Sequence, residues 1–228
     1  MTTIRQNLQT LQNELNGSKA RLVAVSKYHT ADAINEAYAC GQRIFGESHV
    51  QELCAKQLAL PADIQWHFIG HLQTNKVKYI ASFISLIHSV DTLKLLKEID
   101  RQAEKASRTI DCLLQIHIAE EETKFGFTPL DVTQMLDEGQ WRELKHTRIV
   151  GLMCIATNTD DSSRIQKEFR TVHQLFETLK QKYFEGTNQF CELSMGMSDD
   201  YPIALGEGST LIRIGSRIFG ERIYDNHC

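Results

Sequence analysis

Residues 21–47, RLVAVSKYHTADAINEAYACGQRIFGE, contain the unit that decides the fold: an apolar strand, a helix and a second apolar strand. The first run, 21–27, is almost continuously apolar up to its end, as expected for a parallel strand buried on both faces. Thr30 can cap the helix that follows, and Gly41 can end it before the second apolar run at 43–47. This order is that of a βαβ unit, the repeating element of α/β proteins.

The same alternation continues to the end of the chain. Helix signals separate the apolar runs: Ser48 predicts a capping box, Asp91 is predicted to cap the next helix, and Thr128 opens a helix that Gly139 ends. The longest helix is expected after residues 160–161. In all, the pattern predicts eight strands, at 21–27, 43–47, 66–70, 86–91, 111–118, 148–155, 190–196 and 211–215.

Eight alternations of strand and helix predict the α/β class and a closed (β/α)8 barrel of the TIM type, with an open doubly wound sheet as the alternative. Within residues 1–18, apolar side chains recur at helical spacing, which predicts an N-terminal helix packed on the barrel. No linker or low-complexity tract interrupts the pattern. We therefore expect residues 1–228 to form a single domain.

Composition argues against several classes of function. The chain is 42% hydrophobic and 24% charged with a formal net charge of -4, so it gives no electrostatic basis for nucleic-acid binding. The first residues lack the apolar core of a secretion signal, and the most apolar stretch, 79–90, is too short to cross a bilayer. Six scattered cysteines without a C-x-x-C pair predict neither a disulfide framework nor a metal site. We expect a cytoplasmic protein that does not bind membranes.

Lys27 is the first candidate for chemistry, because it ends an apolar strand at the predicted barrel mouth. Active sites of such barrels form at the carboxyl ends of the strands. Partial desolvation there disfavours the ammonium form, so the neutral amine becomes more available to attack a carbonyl. A lysine that simply points to solvent is the alternative.

Two loops near the end of the sequence resemble anion sites. Ser194 and Ser198 belong to the loop after the seventh strand, and Gly215 and Ser216 to the loop after the eighth. Small residues let backbone N–H groups approach a phosphate, and hydroxyls add further donors. Phosphate groups often bind at these two loops of a barrel. A lysine facing a phosphate site suggests a phosphorylated aldehyde or ketone, which leaves pyridoxal phosphate and a sugar phosphate both open.

A longer motif resolves that choice by resemblance. Residues 66–76, WHFIGHLQTNK, fit the pattern W-H-F-I-G-x-L-Q-x-N-K of the pyridoxal phosphate homeostasis proteins, which are related to the alanine racemase N-terminal domain. Further matching segments run in the same order over about residues 21–222. They are AVSK at 24–27, FGE at 45–47, VQE at 50–52, SVD at 89–91, Lys124 with Gly126, GLM at 151–153, LSMGMSDD at 193–200, RIG at 213–215 and IFG at 218–220.

The resemblance implies a monomeric barrel of fold type III that binds pyridoxal 5′-phosphate (PLP). Lys27 matches the Schiff-base lysine, which holds PLP covalently, and Arg213 matches the position that faces the pyridine nitrogen. Gly215 and Ser216 match the loop that holds the phosphate, with Ser198 and Ser194 contributing from the neighbouring loop. One departure is visible: Ser48 stands where the family usually has asparagine, which puts any contact from that side chain to the cofactor in doubt.

The implied function is a carrier and buffer of PLP that supplies apo-enzymes, without established turnover, so no catalytic residue is assigned. An amino-acid racemase is the alternative, and weak racemase-like side activity is compatible with the carrier. Racemases of the related family use a second domain for which a chain ending at Cys228 leaves no room. A Schiff-base aldolase finds no support in the motif. For His67, Gln73, Asn75 and Lys76, lining of the mouth and support of the third loop both stay open. Lys124 is interpreted as a solvent-exposed loop residue, with a second basic group at the mouth as the alternative.

Overall fold

Eight parallel strands close into a barrel in the order in which they occur along the chain. The computed structural model describes residues 3–119 and 125–220, so Lys124 lies outside the described residues. The predicted barrel is confirmed and the open-sheet alternative is wrong, because β1 pairs with β8. The strands are β1 Arg21–Val25, β2 Ile44–Glu47, β3 Gln65–Phe68, β4 Leu86–Val90, β5 Ile110–Ile116, β6 Thr147–Cys154, β7 Glu192–Ser194 and β8 Leu211–Ile214.

Helices follow the strands and cover the outside of the barrel. The longest lies where the sequence predicts it, directly after residues 160–161, and it buries Phe169, Val172 and Phe176. The helices are α1 Ile4–Glu14, α2 Ala31–Ala39, α3 Val50–Ala59, α4 Val77–Ile80, α5 Leu93–Lys105, α6 Pro129–Asp137, α7 Ser162–Tyr183, α8 Tyr201–Gly206 and α9 Ser216–Phe219, with two 3-10 turns at Thr74–Lys76 and Gln140–Glu143.

Two of the predicted helix starts are confirmed. Thr30 caps α2 by accepting a hydrogen bond from the Ala33 N–H. Thr128 caps α6 in a capping box with Asp131, and proline occupies the first helical turn. Both caps arise because a short hydroxyl side chain satisfies an N–H group that has no partner inside the helix.

Two other predicted starts are wrong by one residue. α3 begins after His49, which makes no side-chain cap, and Ser48 instead lies at the barrel mouth. α5 is capped by Thr92, whose hydroxyl accepts from the Leu95 N–H. Asp91 lies 3.2 Å from the His71 ring nitrogen instead. In both places the loop continues one residue beyond the predicted start, so the local spacing no longer fits the cap.

Close strand contact is required at Gly151 in β6. A Cβ at this residue would lie 1.7 Å from the carbonyl oxygen of Glu192 in β7, with which Gly151 is in register. The strands also carry a small, separate apolar cluster. It consists of Val23, Leu86, Leu113, Val150, Met153 and Leu211.

Helix α1 lies against the segment that follows β8. Leu8 and Leu11 are buried under it, and Asn7 donates a hydrogen bond from its amide to the Ile218 carbonyl 2.9 Å away. Glu14 accepts hydrogen bonds from the Tyr201 hydroxyl and from Arg217. The first helix therefore braces α9, the last helix described.

Neither a membrane span nor a metal cluster is present in the described part of the chain. Within residues 3–119 and 125–220, every helix is too short or too polar to cross a bilayer. The same residues contain no group of three or more His, Cys, Asp or Glu side chains placed to hold a metal ion. The cysteines in these ranges are free thiols.

Candidate functional site

A cavity of about 260 Å³ opens at the carboxyl ends of the strands, where the barrel fold places its functional groups. Five of the six residues that the sequence predicts for the site line it, and Ser194 is the exception. The lining residues are Val25, Lys27, His29, Ser48, Ile69, Ile155, Met197, Ser198, Asp199, Arg213, Gly215 and Ser216.

Lys27 enters this cavity from the segment directly after β1. Tyr28, the next residue, has a φ of 67°, a left-handed conformation that is uncommon for residues other than glycine. The Tyr28 N–H donates to a carboxylate oxygen of Glu52 at 2.6 Å. The backbone therefore turns sharply immediately after the lysine, and a hydrogen bond holds that turn.

The hydroxyls of Ser198 and Ser216 meet across the cavity wall. Their oxygens are 3.1 Å apart, although they belong to the loops after β7 and β8. A Cβ at Gly215 would lie 3.1 Å from the Val25 carbonyl oxygen, so the glycine allows the second loop to run close against the end of β1. The contact brings the hydroxyl pair to the strand that precedes Lys27.

Arg213 carries a buried cation into the cavity, and its residue is only 4% exposed. Its guanidinium donates to the Ser194 carbonyl at 2.9 Å, to the Ser194 hydroxyl at 2.6 Å and to the Cys154 carbonyl at 2.8 Å. Burial lowers the pKa of this guanidinium from its usual value. Ser194 is thus not at the cavity wall but behind Arg213, where it fixes the orientation of the cation.

Two histidines extend this hydrogen-bonded chain through the barrel interior. His88 Nδ1 lies 3.0 Å from the Ser194 hydroxyl, and His88 Nε2 lies 3.0 Å from His67 Nδ1. Burial lowers the pKa of His67 to about 3, with a smaller effect of Arg21. Burial also holds the pKa of His88 well below its usual value, and the neighbouring His67 and Arg213 act in the same direction because a second positive charge beside them is unfavourable. Both rings are therefore neutral near pH 7.

The structure places His67 in neither of the roles that the sequence left open. It is buried among the strands, where it contacts His88 rather than the cavity or the third loop. Gln73, directly before the 3-10 turn that follows β3, and Asn75, within it, are exposed and do not line the cavity. Most of the motif at 66–76, on which the resemblance rests, therefore lies outside the candidate site.

Sequence reasoning missed several residues of the cavity wall. Among them, His29 stacks on Phe219 with ring centroids 4.8 Å apart, which links the segment after β1 to α9. Ile69, Ile155 and Met197 supply apolar wall. A position within a few residues after a strand end is the one sequence signal that these residues share.

The groups present fit PLP. Two converging hydroxyls and the first N–H groups of α9, which have no partner inside the helix, are suited to a phosphate. A lysine amine lines the same cavity and is suited to an aldehyde, and apolar side chains flank both. The close approach of Gly215 to β1 is what brings the two ends of this donor set together.

Comparison with known proteins gives a consistent result. The family described as "Alanine racemase, N-terminal domain" matches residues 1–223. The pyridoxal phosphate homeostasis protein of Aquifex aeolicus is 38% identical over 206 residues, which cover 90% of this chain and 88% of that protein. The protein of the same name from Schizosaccharomyces pombe is 37% identical over 229 residues, which cover 97% and 94% of the two chains.

Solved structures agree with this result. PipY of Synechococcus elongatus PCC7942, solved with PLP bound, superposes with a TM-score of 0.87 at 38% identity and covers 96% of this chain and 100% of its own. Its structure without PLP gives a TM-score of 0.89 at 39% identity with the same coverage. D-threonine aldolase of Filomicrobium marinum, at 16% identity and a TM-score of 0.75, shares the fold over 94% of this chain and 59% of its own.

Proposed function

This chain belongs to the pyridoxal phosphate homeostasis proteins, within the alanine racemase N-terminal domain family, and from that membership we propose that it binds PLP covalently at Lys27 and buffers or delivers it in the cytoplasm. One observation carries the proposal: Lys27 and the Ser198–Ser216 hydroxyl pair line the same cavity. A relative with PLP bound, PipY, supports the choice of ligand.

Different residues of the cavity are proposed to bind different parts of PLP. When bound, PLP supplies two groups: an aldehyde, which condenses with an amine, and a pyridine ring, which can accept electrons. Lys27 provides the amine, which lines the same cavity as the hydroxyl pair and attacks a carbonyl in its neutral form. The Ser198 and Ser216 hydroxyls, with the N–H groups that begin α9, bind the phosphate.

Arg213 favours binding without rapid turnover. Its guanidinium is fixed by Ser194 and Cys154, so it presents a cation to the cavity in one orientation. A cation close to a pyridine nitrogen disfavours a proton on that nitrogen and weakens the ring as an electron acceptor. A weakened electron acceptor is compatible with a carrier, and the relatives named pyridoxal phosphate homeostasis protein favour the carrier over the racemase alternative. Transfer of PLP to apo-enzymes, and a monomeric state, are parts of the same proposal.

Borohydride trapping followed by peptide mass analysis tests the covalent site. We expect a pyridoxyl group on the peptide that contains Lys27 and no label after Lys27→Ala. Replacement of the exposed Lys19 by alanine is the matched control and should leave labelling unchanged. In the unsubstituted protein, a label on a lysine other than Lys27 would refute the assignment.

Exchange of the α-proton of D- and L-amino acids in deuterated water tests the carrier against the racemase. The carrier predicts exchange no faster than that given by free PLP at the same concentration. Exchange that is much faster in the presence of the protein, and lost in Lys27→Ala, would favour the racemase.

A further inference from the structure

The backbone on both sides of Lys27 is held by side chains that come from outside β1. On the N-terminal side, the Ser26 carbonyl accepts a hydrogen bond from Lys56 Nζ at 2.7 Å, and the Ser26 hydroxyl donates to Glu47 at 2.6 Å. On the C-terminal side, the Tyr28 N–H donates to Glu52 at 2.6 Å. Both residues adjacent to Lys27 are therefore held by hydrogen bonds to charged side chains.

Lys56 connects these contacts. Its Nζ donates to Glu47 and to Glu52, both at 2.7 Å, in addition to the Ser26 carbonyl. Since an ammonium has three protons, all of its donors are used. The Lys56 side chain is only 8% exposed, which is unusual for lysine, and the Glu47 side chain is fully buried.

Stability alone is a poor explanation of this network. Taking an ammonium and a carboxylate out of water is expensive, and an apolar replacement of such a buried pair is often neutral or stabilising. One oxygen of Glu47 is buried and has no hydrogen-bond partner among the described residues, which adds to the penalty. Burial raises the pKa of Glu47, and the nearby Lys56 partly opposes that rise. The geometry around Lys27 offers a better reason for keeping the charges.

We propose that the Glu47–Lys56–Glu52 network is a positioning device for Lys27, with Lys56 at its centre. It holds Ser26 at the end of the strand and Tyr28 in its left-handed turn, so the lysine between them projects into the cavity from a fixed backbone. This inference rests on the proposed function, because it concerns how efficiently the Lys27 amine meets an aldehyde held at the phosphate site.

Two measurements separate positioning from general support of the fold. The first is the rate constant for formation of the borohydride-trappable bond between PLP and Lys27. The second is the affinity for pyridoxine 5′-phosphate, which carries the same phosphate but an alcohol in place of the aldehyde. Loss of positioning slows the first and leaves the second unchanged, whereas a damaged cavity lowers both.

Glu52 offers a mild and matched pair of variants, because its side chain is partly exposed. Glu52→Ala removes the acceptor of the Tyr28 N–H, while Glu52→Gln retains one. We expect trapping to slow about tenfold in the alanine variant and less than about twofold in the glutamine variant, since small misplacements of a reacting group are costly. Exchange of the Tyr28 amide hydrogen should accelerate in Glu52→Ala only. The exposed neighbour Gln51→Ala is the control and should resemble the unsubstituted protein.

Lys56→Met tests the centre of the network, with the exposed Lys94→Met as its control. We expect trapping to be slowed by more than about tenfold, with binding of pyridoxine 5′-phosphate within about twofold of the unsubstituted protein. If Lys56→Met does not fold, the Glu52 pair decides the question alone. Equal trapping rates in Glu52→Ala and Glu52→Gln would overturn the proposal. Absence of trapping in the unsubstituted protein would instead refute the proposed function, so the two failures are distinguishable.

Discussion

In the proposed function, Ser198 and Ser216 are the side chains that bind the phosphate of PLP most directly. Their hydroxyl oxygens are 3.1 Å apart, and each hydroxyl can turn its proton toward a ligand oxygen that lies within reach of both. Hydrogen bonds to a charged group contribute about 1.5–3 kcal/mol, more than those between neutral groups. Neither hydroxyl is deeply buried, so its removal is expected to affect binding more than folding.

Ser216→Ala is therefore expected to weaken the affinity for PLP and for pyridoxine 5′-phosphate by roughly tenfold or more. Equilibrium titration followed by fluorescence or calorimetry measures both. Thr171→Ala, which removes an exposed hydroxyl from α7, is the control. An unchanged affinity for both ligands in Ser216→Ala would mean that the phosphate binds elsewhere.

The buried His67 is expected to make the stability of the fold depend on pH. An unfolded histidine titrates near 6.5, whereas burial lowers the pKa of folded His67 to about 3. As the pH falls below about 6.5, the unfolded chain binds a proton that the folded chain excludes, and the free energy of unfolding decreases. Above that pH the group has no such effect. Each pH unit in this window removes about 1.4 kcal/mol.

Urea unfolding at several pH values between about 6.5 and 5 tests this. His67→Asn should reduce the slope of stability against pH by about 1.4 kcal/mol per unit, whatever its effect on stability at pH 7. Leu8→Ala, which weakens the core and leaves the histidines in place, should keep the original slope. A slope in His67→Asn equal to that of the unsubstituted protein would contradict the buried, neutral state of this ring.

At the scale of elements, the contact between β6 and β7 is the most demanding. A methyl group at Gly151 would overlap the Glu192 carbonyl, so strand separation is the only relief. We expect Gly151→Ala to destabilise the protein by about 3 kcal/mol or more, as severe overpacking does. Gly206→Ala in α8, where a methyl group meets no atom within 4 Å, should lie within about 1 kcal/mol of the unsubstituted protein. Thermal or urea unfolding measures both.

The strands could be predicted from sequence because parallel strands in a covered barrel are apolar on both faces. The runs at 21–27 and 211–215 contain β1 and β8, but their pairing, which distinguishes the closed barrel from the open sheet, required the structure. The helix starts at His49 and Thr92 were each predicted one residue too early, because a helix start depends on where the preceding loop turns. Ser and Asp fit such a start equally well one residue earlier.

The residues of the candidate site likewise fall into those that the sequence could locate and those that it could not. Lys27, Ser198, Gly215 and Ser216 follow strand ends and could be located from the sequence alone. The role of Ser194 behind Arg213 could not, because β7 and β8 must first be packed before that hydrogen bond exists. Lys56 is another such case. Its spacing from Glu52 is that of an ordinary surface ion pair, and only the tertiary structure buries it.

At the scale of the whole molecule, binding and folding are coupled. A ligand that binds only the folded state, and not the unfolded chain, stabilises the protein by about 2.7 kcal/mol when its concentration is one hundred times its dissociation constant. PLP is therefore expected to raise the unfolding temperature in a concentration-dependent way, as measured by calorimetry. Lys27→Ala should show a smaller rise at the same PLP concentration, because only the non-covalent contacts remain. An equal rise in both proteins would argue against the covalent bond.

The monomeric state predicted by the resemblance is tested by sedimentation. A monomer of this chain has a mass of 26.0 kDa, and that value should hold across protein concentrations with and without PLP. A mass near twice this value would require an interface that the present proposal does not include.

Because β1 and β8 close the barrel, the two sides of the cavity are synthesised at different times. Lys27 lies near the beginning of the chain and Ser216 near its end, so a ribosome that adds about 5–20 residues per second separates their synthesis by roughly 10–40 s. During that interval the amine exists without the loop that would hold a phosphate beside it. Under the proposed function, a nascent chain therefore holds PLP only after both Lys27 and this loop have been synthesised.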